Sequence, residues 1–476
     1  MTDSLVLKNL IAGQETMLGQ NFTVKSEFYS EYQTQVADAT LFDIKMAISK
    51  ARSASEGCKR LTFDERKEIL DAASKKIRFD SKDLEYIVKY TGMPIKQVKR
   101  QVEDIKTTLR VIPELIEKRI GIKYGKIGRK PVVGENFFKF LHPIDGFAYV
   151  VAPANDPRVT AFVAAWLVSL GIPIVFKTAS TDVLIAQKVI WEIINAGYLR
   201  GGINQVCWNT KEVKNRKLNF ELVDYASAIW AFGDEETVDK LLRVEDTESG
   251  PVDHFSGKII LRHASGRTAG IYDDQYSPKK AAEIIVESAL DWPIACNAMK
   301  AIFYYGGEDL EQEIKIKFQE YEKCTGDPME EKTKVGYTKP QINNQVYSRI
   351  INLEKLGLAE RILGDKKHEY QTTPILLRVE DNNSEFLSRE YSTYILTLKQ
   401  SETFEEAVYD ANFSAGEANR LALSVFTEEE DRTLKTVLKA HHIKRARHST
   451  ELDLLFHEGN DYLHKLTIPQ IHRVSF

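Results

Sequence analysis

The chain has 476 residues and a formal net charge of −4, with 43% hydrophobic and 28% charged residues. This near-neutral balance argues against a nucleic-acid partner or a polybasic membrane surface, and the length suits two or three domains. The four cysteines form no C-x-x-C pair, and the ten histidines show no metal-ligand spacing. We therefore expect a reducing compartment and no bound metal.

The N-terminal stretch "MTDSLVLKNLIAG" lacks the basic and then apolar pattern of a secretory leader. The chain also has no apolar run of about 18 residues, the length that an integral membrane segment would require. Both observations predict a cytoplasmic protein.

The first predicted elements are helices, over residues 38–120, where apolar residues recur at helical spacing. Asp64 is predicted to cap the helix that contains "DERKEIL". A charged, glycine-containing stretch from about 122 to 140 predicts an exposed hairpin, and "KFLHPIDGFAYVVAP" predicts a strand.

Strands and helices then alternate, which is typical of a parallel sheet covered by helices. The predicted strands are 147–152, 173–177, 204–208 and 227–231, with helices over 158–170 and 182–197 and from 234. A second series starts near 266, with a helix over 278–290, a strand over 301–305, a helix over 308–322, and strands in "YILTLK" and "RLALSVFT". Residues 323–385 show only weak periodicity. The tail "HKLTIPQIHRVSF" predicts a strand added to a sheet edge, which a partner subunit could supply.

Cys296 lies in the apolar stretch "LDWPIACNAMKAIF". A lone cysteine is most often a small core residue. However, Pro293 and the helix-favouring residues after the cysteine predict a helix N-terminus, where the dipole would lower the pKa of a thiol. The N–H groups of such a helix could also stabilise an oxyanion. This stretch alone leaves both interpretations open.

Polar residues follow two of the predicted strands, at the sheet edge where α/β proteins bind ligands. Asn155 offers an amide donor and Lys177 offers a cation, although a turn asparagine and a solvated lysine are equally compatible with the pattern. Gly233 ends a third strand and permits close backbone approach to a diphosphate. The acidic residues that follow it favour simple helix capping, and no G-x-G-x-x-G sequence occurs.

Together these motifs resemble the aldehyde dehydrogenase superfamily over almost the whole chain. "VAPAND" is similar to the family's P-x-N loop, "VFKTAS" to its strand-end lysine, and "FGDEET" occupies the place of its glycine–serine turn. "REYSTYILTLK" is similar to its E-x-F-G-P-V segment and "NRLALSVFTEEEDR" to its late V-F-T block. The resemblance implies the following roles: nucleophile, Cys296; oxyanion hole, Asn155; cofactor binding, Lys177, Ser180, Gly233 and Glu390. The hydroxyl of Ser180 would tolerate a 2′-phosphate, so the implied cofactor is NADP or NAD.

The departures from the family pattern concern the fate of the acyl group. Arg262 stands where hydrolytic members have a water-activating glutamate, and Ile294 and Ala295 stand where a glutamine is expected before the cysteine. Without a base, a cysteine thioester can be exchanged with coenzyme A instead of hydrolysed. The chain then resembles the acyl-CoA reductases of the bioluminescence fatty-acyl type. His263 is an alternative base.

The main hypothesis is therefore NAD(P)H-dependent reduction of fatty acyl-CoA to aldehyde, with coenzyme A as leaving group or co-substrate. Oxidation of an aldehyde to the carboxylate is one alternative, and a catalytically silent oligomeric scaffold is another. The resemblance implies an α/β fold in which two parallel-sheet domains share a cleft and a small β element serves oligomerisation into a homodimer or homotetramer. The implied segments are 1–121 and 147–265 for cofactor binding, 266–447 for catalysis, and 122–146 and 448–476 for oligomerisation.

Overall fold

The computed structural model describes residues 5–120, 130–131, 137–154, 156–212, 215–233, 258–264, 268–295, 298–306, 308–389, 391–414, 423–428, 446–448 and 467–473. Within these ranges, none of the helices combines the length and the apolar character that a membrane crossing demands.

The N-terminal part of the chain begins with a small three-stranded sheet, which the sequence analysis did not predict. Its strands lie in the order Val6–Leu7, Gln33–Ala37, Asn21–Lys25. Four helices follow, as predicted: Leu41–Arg60, Phe63–Lys76, Ser81–Thr91 and Ile95–Ile120.

The predicted capping residue of the second helix was wrong. Thr62 is the N-cap, and its hydroxyl accepts a hydrogen bond from the Glu65 amide at 3.2 Å. The Glu65 carboxylate accepts in return from the Thr62 amide at 2.6 Å. This reciprocal capping box starts the helix at Phe63, so Asp64 already lies inside the first turn.

The first large sheet has seven strands, five of which are parallel. Their order is Ile259–Ala264, Ala228–Gly233, Ala148–Val151, Ile174–Lys177, Ile203–Val206, and then the antiparallel Asn9–Ile11 and Gln14–Thr16. The predicted strands of the first series are confirmed within a few residues. The two antiparallel edge strands come from the N-terminus and were not predicted.

Helices cover both faces of this sheet. On one face lies Val159–Leu170, whose twelve residues are all buried, together with Val183–Asn195. On the other face Leu41–Arg60 and Arg216–Tyr225 pack on the sheet. A 3₁₀ turn, Arg200–Gly202, precedes the fifth parallel strand. The helix predicted from residue 234 lies outside the described residues.

The second large sheet also has seven strands. Their order is Ala359–Leu363, Ile375–Val379, Ile395–Ser401, Met299–Tyr305, Thr268–Tyr272, Leu423–Phe426 and Ala446–His448, with only the first strand antiparallel to its neighbour. Its helices are Pro278–Leu290, Glu308–Glu322, Pro340–Lys355, Glu385–Ser388 and Phe404–Phe413. The stretch 323–385 therefore contains a full helix, two strands of this sheet, and a small ribbon of Lys366–His368 with Gln371–Thr372.

A third sheet joins the C-terminal tail to the predicted hairpin region. Thr467–Arg473 pairs antiparallel with Phe137–Pro143, and that strand pairs with Lys130–Pro131. The tail is thus an added strand, as predicted, but it pairs within its own chain.

The single strand predicted over "KFLHPIDGFAYVVAP" was wrong, because two strands in different sheets meet at a turn there. Gly146 has φ +82°, and a Cβ at this position would lie 2.4 Å from the Ser227 hydroxyl oxygen.

Candidate functional site

The candidate site begins at the carboxyl edge of the first sheet. Val151, Lys177 and Val206 are aligned there on three neighbouring parallel strands. The ladder continues beyond Lys177, because the Ala152 amide donates to the Lys177 carbonyl at 3.0 Å and the Thr178 amide donates to the Val206 carbonyl at 3.1 Å. Lys177 therefore lies at the ligand-binding edge of an α/β sheet, as its sequence position indicated.

The Lys177 side chain is half-buried, and burial lowers the pKa of its ammonium group. Its nitrogen lies 5.6 Å from the ring centroid of Trp208. Among the described residues, no carboxylate pairs with this ammonium group and no acceptor takes a hydrogen bond from it. A desolvated cation without an anionic partner fits a hydroxyl- or phosphate-bearing ligand such as a nucleotide.

The residues after Lys177 form a turn into the helix Val183–Asn195. Thr178 is buried, and its hydroxyl accepts from the Gln205 side-chain amide at 3.0 Å, so it faces the interior. Ser180 is half-buried in this turn. Asp182 is buried, and burial raises the pKa of its carboxyl group well above the ordinary value. The raised pKa favours the uncharged form of Asp182, whose anion would oppose a phosphate in this turn.

An ion pair holds the residues that follow Asn155 in place. Asn155 itself lies outside the described residues. Asp156 is 4% exposed, and its carboxylate accepts from the Arg158 backbone amide at 3.0 Å, from Nε at 3.0 Å and from Nη2 at 2.8 Å. A second carboxylate, on Asp104, lies 3.5 Å from Arg158 Nη1. These contacts anchor the start of the helix Val159–Leu170 to the preceding helix.

Gly233 ends the strand beside Val151, where it pairs with Ala264 of the edge strand. Its φ of +154° is one that a residue with a side chain rarely adopts. Arg262 and His263 lie in that edge strand opposite Ala231 and Phe232. Their side chains, like the acidic residues 234–236, lie outside what the structure describes.

The local environment predicted for Cys296 was wrong, although the cysteine itself lies outside the described residues. Before it, the chain turns at Trp292–Ala295, where the Ala295 amide donates to the Trp292 carbonyl at 3.1 Å. After it comes the strand Met299–Tyr305 instead of a helix. That strand is buried between two parallel neighbours, so sheet pairing overrides the helix-favouring composition. A strand that begins at Met299 offers no helix N-terminus whose dipole could lower the pKa of a thiol.

Sequence reasoning missed two residues near the predicted site. Lys300 is buried in the strand that follows Cys296, and its ammonium group donates to the Pro293 carbonyl. Trp208 is buried two residues beyond the strand next to Lys177. A lysine inside an apolar strand pattern was the only sequence feature that could have pointed to either of them.

Glu390 lies outside the described residues, between two that the structure does describe. The Arg389 amide donates to the Glu385 carbonyl at 2.8 Å, and the Tyr391 hydroxyl accepts from Arg349 Nη1 at 2.9 Å. The strand predicted from "YILTLK" follows as Ile395–Ser401. Among the described residues, no three His, Cys, Asp or Glu side chains lie close enough together to hold a metal ion.

Comparison with known proteins gives a consistent result. The sequence profile of the aldehyde dehydrogenase family matches residues 15–442. A 1-pyrroline-5-carboxylate dehydrogenase of Staphylococcus epidermidis is 25% identical over 398 residues, which span 80% of this chain and 73% of that protein.

Solved structures of similar fold cover nearly the whole chain. A salicylaldehyde dehydrogenase from Pseudomonas putida G7 has a TM-score of 0.82 at 16% identity, covering 99% of this chain and 98% of that chain. A NAD-dependent benzaldehyde dehydrogenase from Corynebacterium glutamicum has a TM-score of 0.78 at 16% identity, covering 98% of each chain. At these identities the likeness shows the fold.

Proposed function

Because the chain belongs to the aldehyde dehydrogenase family, and is thus an NAD(P)-dependent oxidoreductase, we propose that it oxidises a small-molecule aldehyde to the carboxylate. The observation that carries this proposal is the family match over residues 15–442, which includes strands of both large sheets. NAD⁺ or NADP⁺ would accept the hydride from the substrate.

The reacting groups of the proposal are those that the family resemblance supplies. The Cys296 thiolate attacks the aldehyde carbon, and the Asn155 amide donates to the oxyanion that forms. Loss of hydride to the bound cofactor leaves an acyl thioester on Cys296. Bulk water then attacks the thioester carbonyl, the C–S bond breaks to release the carboxylate and the thiolate, and the two protons of the water pass to solvent. Asp156 and Arg158 support this scheme by anchoring the chain next to Asn155.

The cofactor would lie along the carboxyl edge of the first sheet. No described residue pairs with the Lys177 ammonium group, which supports binding of the adenosine ribose. The raised pKa of Asp182 disfavours the negative charge that would oppose a 2′-phosphate at Ser180. Gly233 would allow the diphosphate to approach the backbone, and Glu390 would hold the nicotinamide ribose.

Reduction of acyl-CoA, the main hypothesis from sequence, has less support than aldehyde oxidation. The relatives reported above are named as dehydrogenases of aldehydes or of 1-pyrroline-5-carboxylate, and none of these names mentions coenzyme A. One observation keeps it as a second candidate. Arg262 replaces the family's water-activating glutamate, so the thioester would lack the usual base for hydrolysis. The domain roles and the homo-oligomeric state remain predictions.

The proposal is tested by supplying benzaldehyde, salicylaldehyde or 1-pyrroline-5-carboxylate with NAD⁺ or NADP⁺, with and without coenzyme A. Formation of NAD(P)H with an equal amount of carboxylate, independent of coenzyme A, is the expected result. Cys296→Ala should abolish turnover. Cys324→Ala is the matched control, since Cys324 is a partly exposed free cysteine elsewhere in the second half of the chain.

Three other outcomes each contradict the proposal in a different way. Acyl-CoA as the product, or NADPH-dependent reduction of acyl-CoA at a higher rate, would favour the second candidate. Turnover that persists in Cys296→Ala would rule out the covalent mechanism. If the wild-type protein showed no saturable binding of either cofactor, only the silent-scaffold hypothesis would remain.

A further inference from the structure

Trp208 lies on the same face of the first sheet as Lys177. The register places Lys177 directly beside Val206, and Trp208 follows Val206 by two residues. Side chains two residues apart in extended chain point to the same face. Accordingly, Val175, Val206 and Trp208 belong to one apolar cluster under the helix Leu41–Arg60. The indole of Trp208 therefore reaches the lysine side chain across the gap between neighbouring strands.

The indole ring is the only group in the described part of the chain that balances the Lys177 cation. The ammonium nitrogen lies 5.6 Å from the ring centroid, within the range of a cation–π contact. The titratable group that affects it most is Cys207, and burial raises the pKa of that thiol to about 11. The thiol is thus neutral at physiological pH and supplies no negative charge.

A ring face and a carboxylate differ in how they affect the N–H donors of the Lys177 ammonium group. A carboxylate would accept hydrogen bonds from one or more of the three ammonium N–H donors. A ring face attracts the positive charge but does not take up these donors in conventional hydrogen bonds. Trp208 is 4% exposed, so the ring is held in place by the packing around it. The cation is therefore kept at the sheet edge, and no described residue accepts a hydrogen bond from its donors.

We propose that Trp208 is a positioning residue, which holds the Lys177 ammonium by its indole face so that the lysine can donate to hydroxyl or phosphate oxygens of a nucleotide. The inference rests on the proposed function, because the nucleotide is the adenosine half of the dehydrogenase cofactor.

The test measures the Kd of NAD⁺, NADP⁺ and 5′-AMP for the wild-type protein and for Trp208→Leu and Trp208→Phe. The leucine variant should bind each ligand about fivefold to thirtyfold more weakly, the range for a desolvated cation–π contact. The phenylalanine variant keeps a ring face and should recover most of this loss. KM for the cofactor should rise while kcat at saturating cofactor changes little. Trp191→Leu, on the exposed outer face of the helix Val183–Asn195, is the control and should bind like wild type.

A double-mutant cycle separates positioning from a general packing defect. In a Lys177→Met background, Trp208→Leu should cause no further loss of affinity, because the group that it positions is gone. An equal loss in both backgrounds would overturn the proposal. Wild-type protein that bound no cofactor would instead overturn the function proposed above, and this inference with it.

The contact can also be measured without a ligand. After reductive ¹³C-methylation of the lysines, the NMR signal of Lys177 is identified as the one that disappears in Lys177→Arg. This signal should lie upfield of the other lysine signals, because its methyl groups face an aromatic ring. Trp208→Leu should return that signal to the common position. A Lys177 signal at the common position in the wild-type protein would refute the contact on which the proposal depends.

Discussion

Replacement of Asp156 by alanine should destabilise the first sheet and its helices. The Asp156 carboxylate is 4% exposed and accepts three hydrogen bonds from Arg158, at 2.8 to 3.0 Å. Removing one partner of a buried ion pair costs about 3–5 kcal/mol. Arg158 keeps the Asp104 carboxylate at 3.5 Å, and its own side chain is 15% exposed. We therefore expect a loss of about 2–4 kcal/mol from the free energy of unfolding.

The assay is urea unfolding, monitored by hydrogen exchange in the peptides that cover the helix Val159–Leu170. The control is Asp104→Ala, which removes a partner that is 41% exposed and should cost less than about 1 kcal/mol. Asp156→Ala should also lower kcat for aldehyde oxidation, because the anchored chain adjoins Asn155. Equal destabilisation by the two variants would refute the reasoning that burial makes the Asp156 pair the stronger one.

Two further predictions concern a backbone position and a buried acid. Gly171→Ala should destabilise the protein by about 2–4 kcal/mol in urea titrations, because a Cβ there meets Arg66 Nη1 at 2.6 Å at a φ of +74°. Gly357→Ala, at φ +69° with nothing within 4 Å, should lose only about 1 kcal/mol. Burial raises the pKa of Asp182, so folding favours the protonated carboxyl group. Its contribution to the free energy of unfolding is complete below the ordinary pKa and is lost as pH rises towards the folded-state pKa. Asp182→Asn should therefore raise Tm at pH 7 to 8 but not near pH 4, and an equal effect at both would contradict the argument.

The alternation of strands and helices was predictable because it depends on short-range periodicity. Helical spacing over 38–120 predicted the four N-terminal helices, and the apolar runs at 147–152 and 173–177 predicted adjacent strands. Lys177 could be assigned to the sheet edge for the same reason, since it ends one of those runs. The short strands of residues 5–37 were not predicted, because strands of two to five residues carry too little pattern to distinguish them from loop.

Local composition failed where distant parts of the chain compete for the same segment. The strand predicted over 301–305 is confirmed, but the helix start predicted directly after Cys296 was wrong. The strand already begins at Met299, because Thr268–Tyr272 and Ile395–Ser401 supply backbone partners on both sides. Sequence reasoning did not resolve the stretch 323–385 because, apart from the helix Pro340–Lys355, its regular elements are strands of two to five residues, which carry little periodic pattern.

The sequence by itself determined the fold class and the family, since these depend on residue type, spacing and order along the chain, and it predicted which residues could carry chemistry. Only the tertiary structure decided which groups face one another. Trp208 lies against Lys177 because the register of two parallel strands brings together residues 31 positions apart, and no local pattern encodes that register. Within the part of the chain that the structure describes, the partner of Lys177 is a ring and not a carboxylate, which is the physical basis for the proposed role of Trp208.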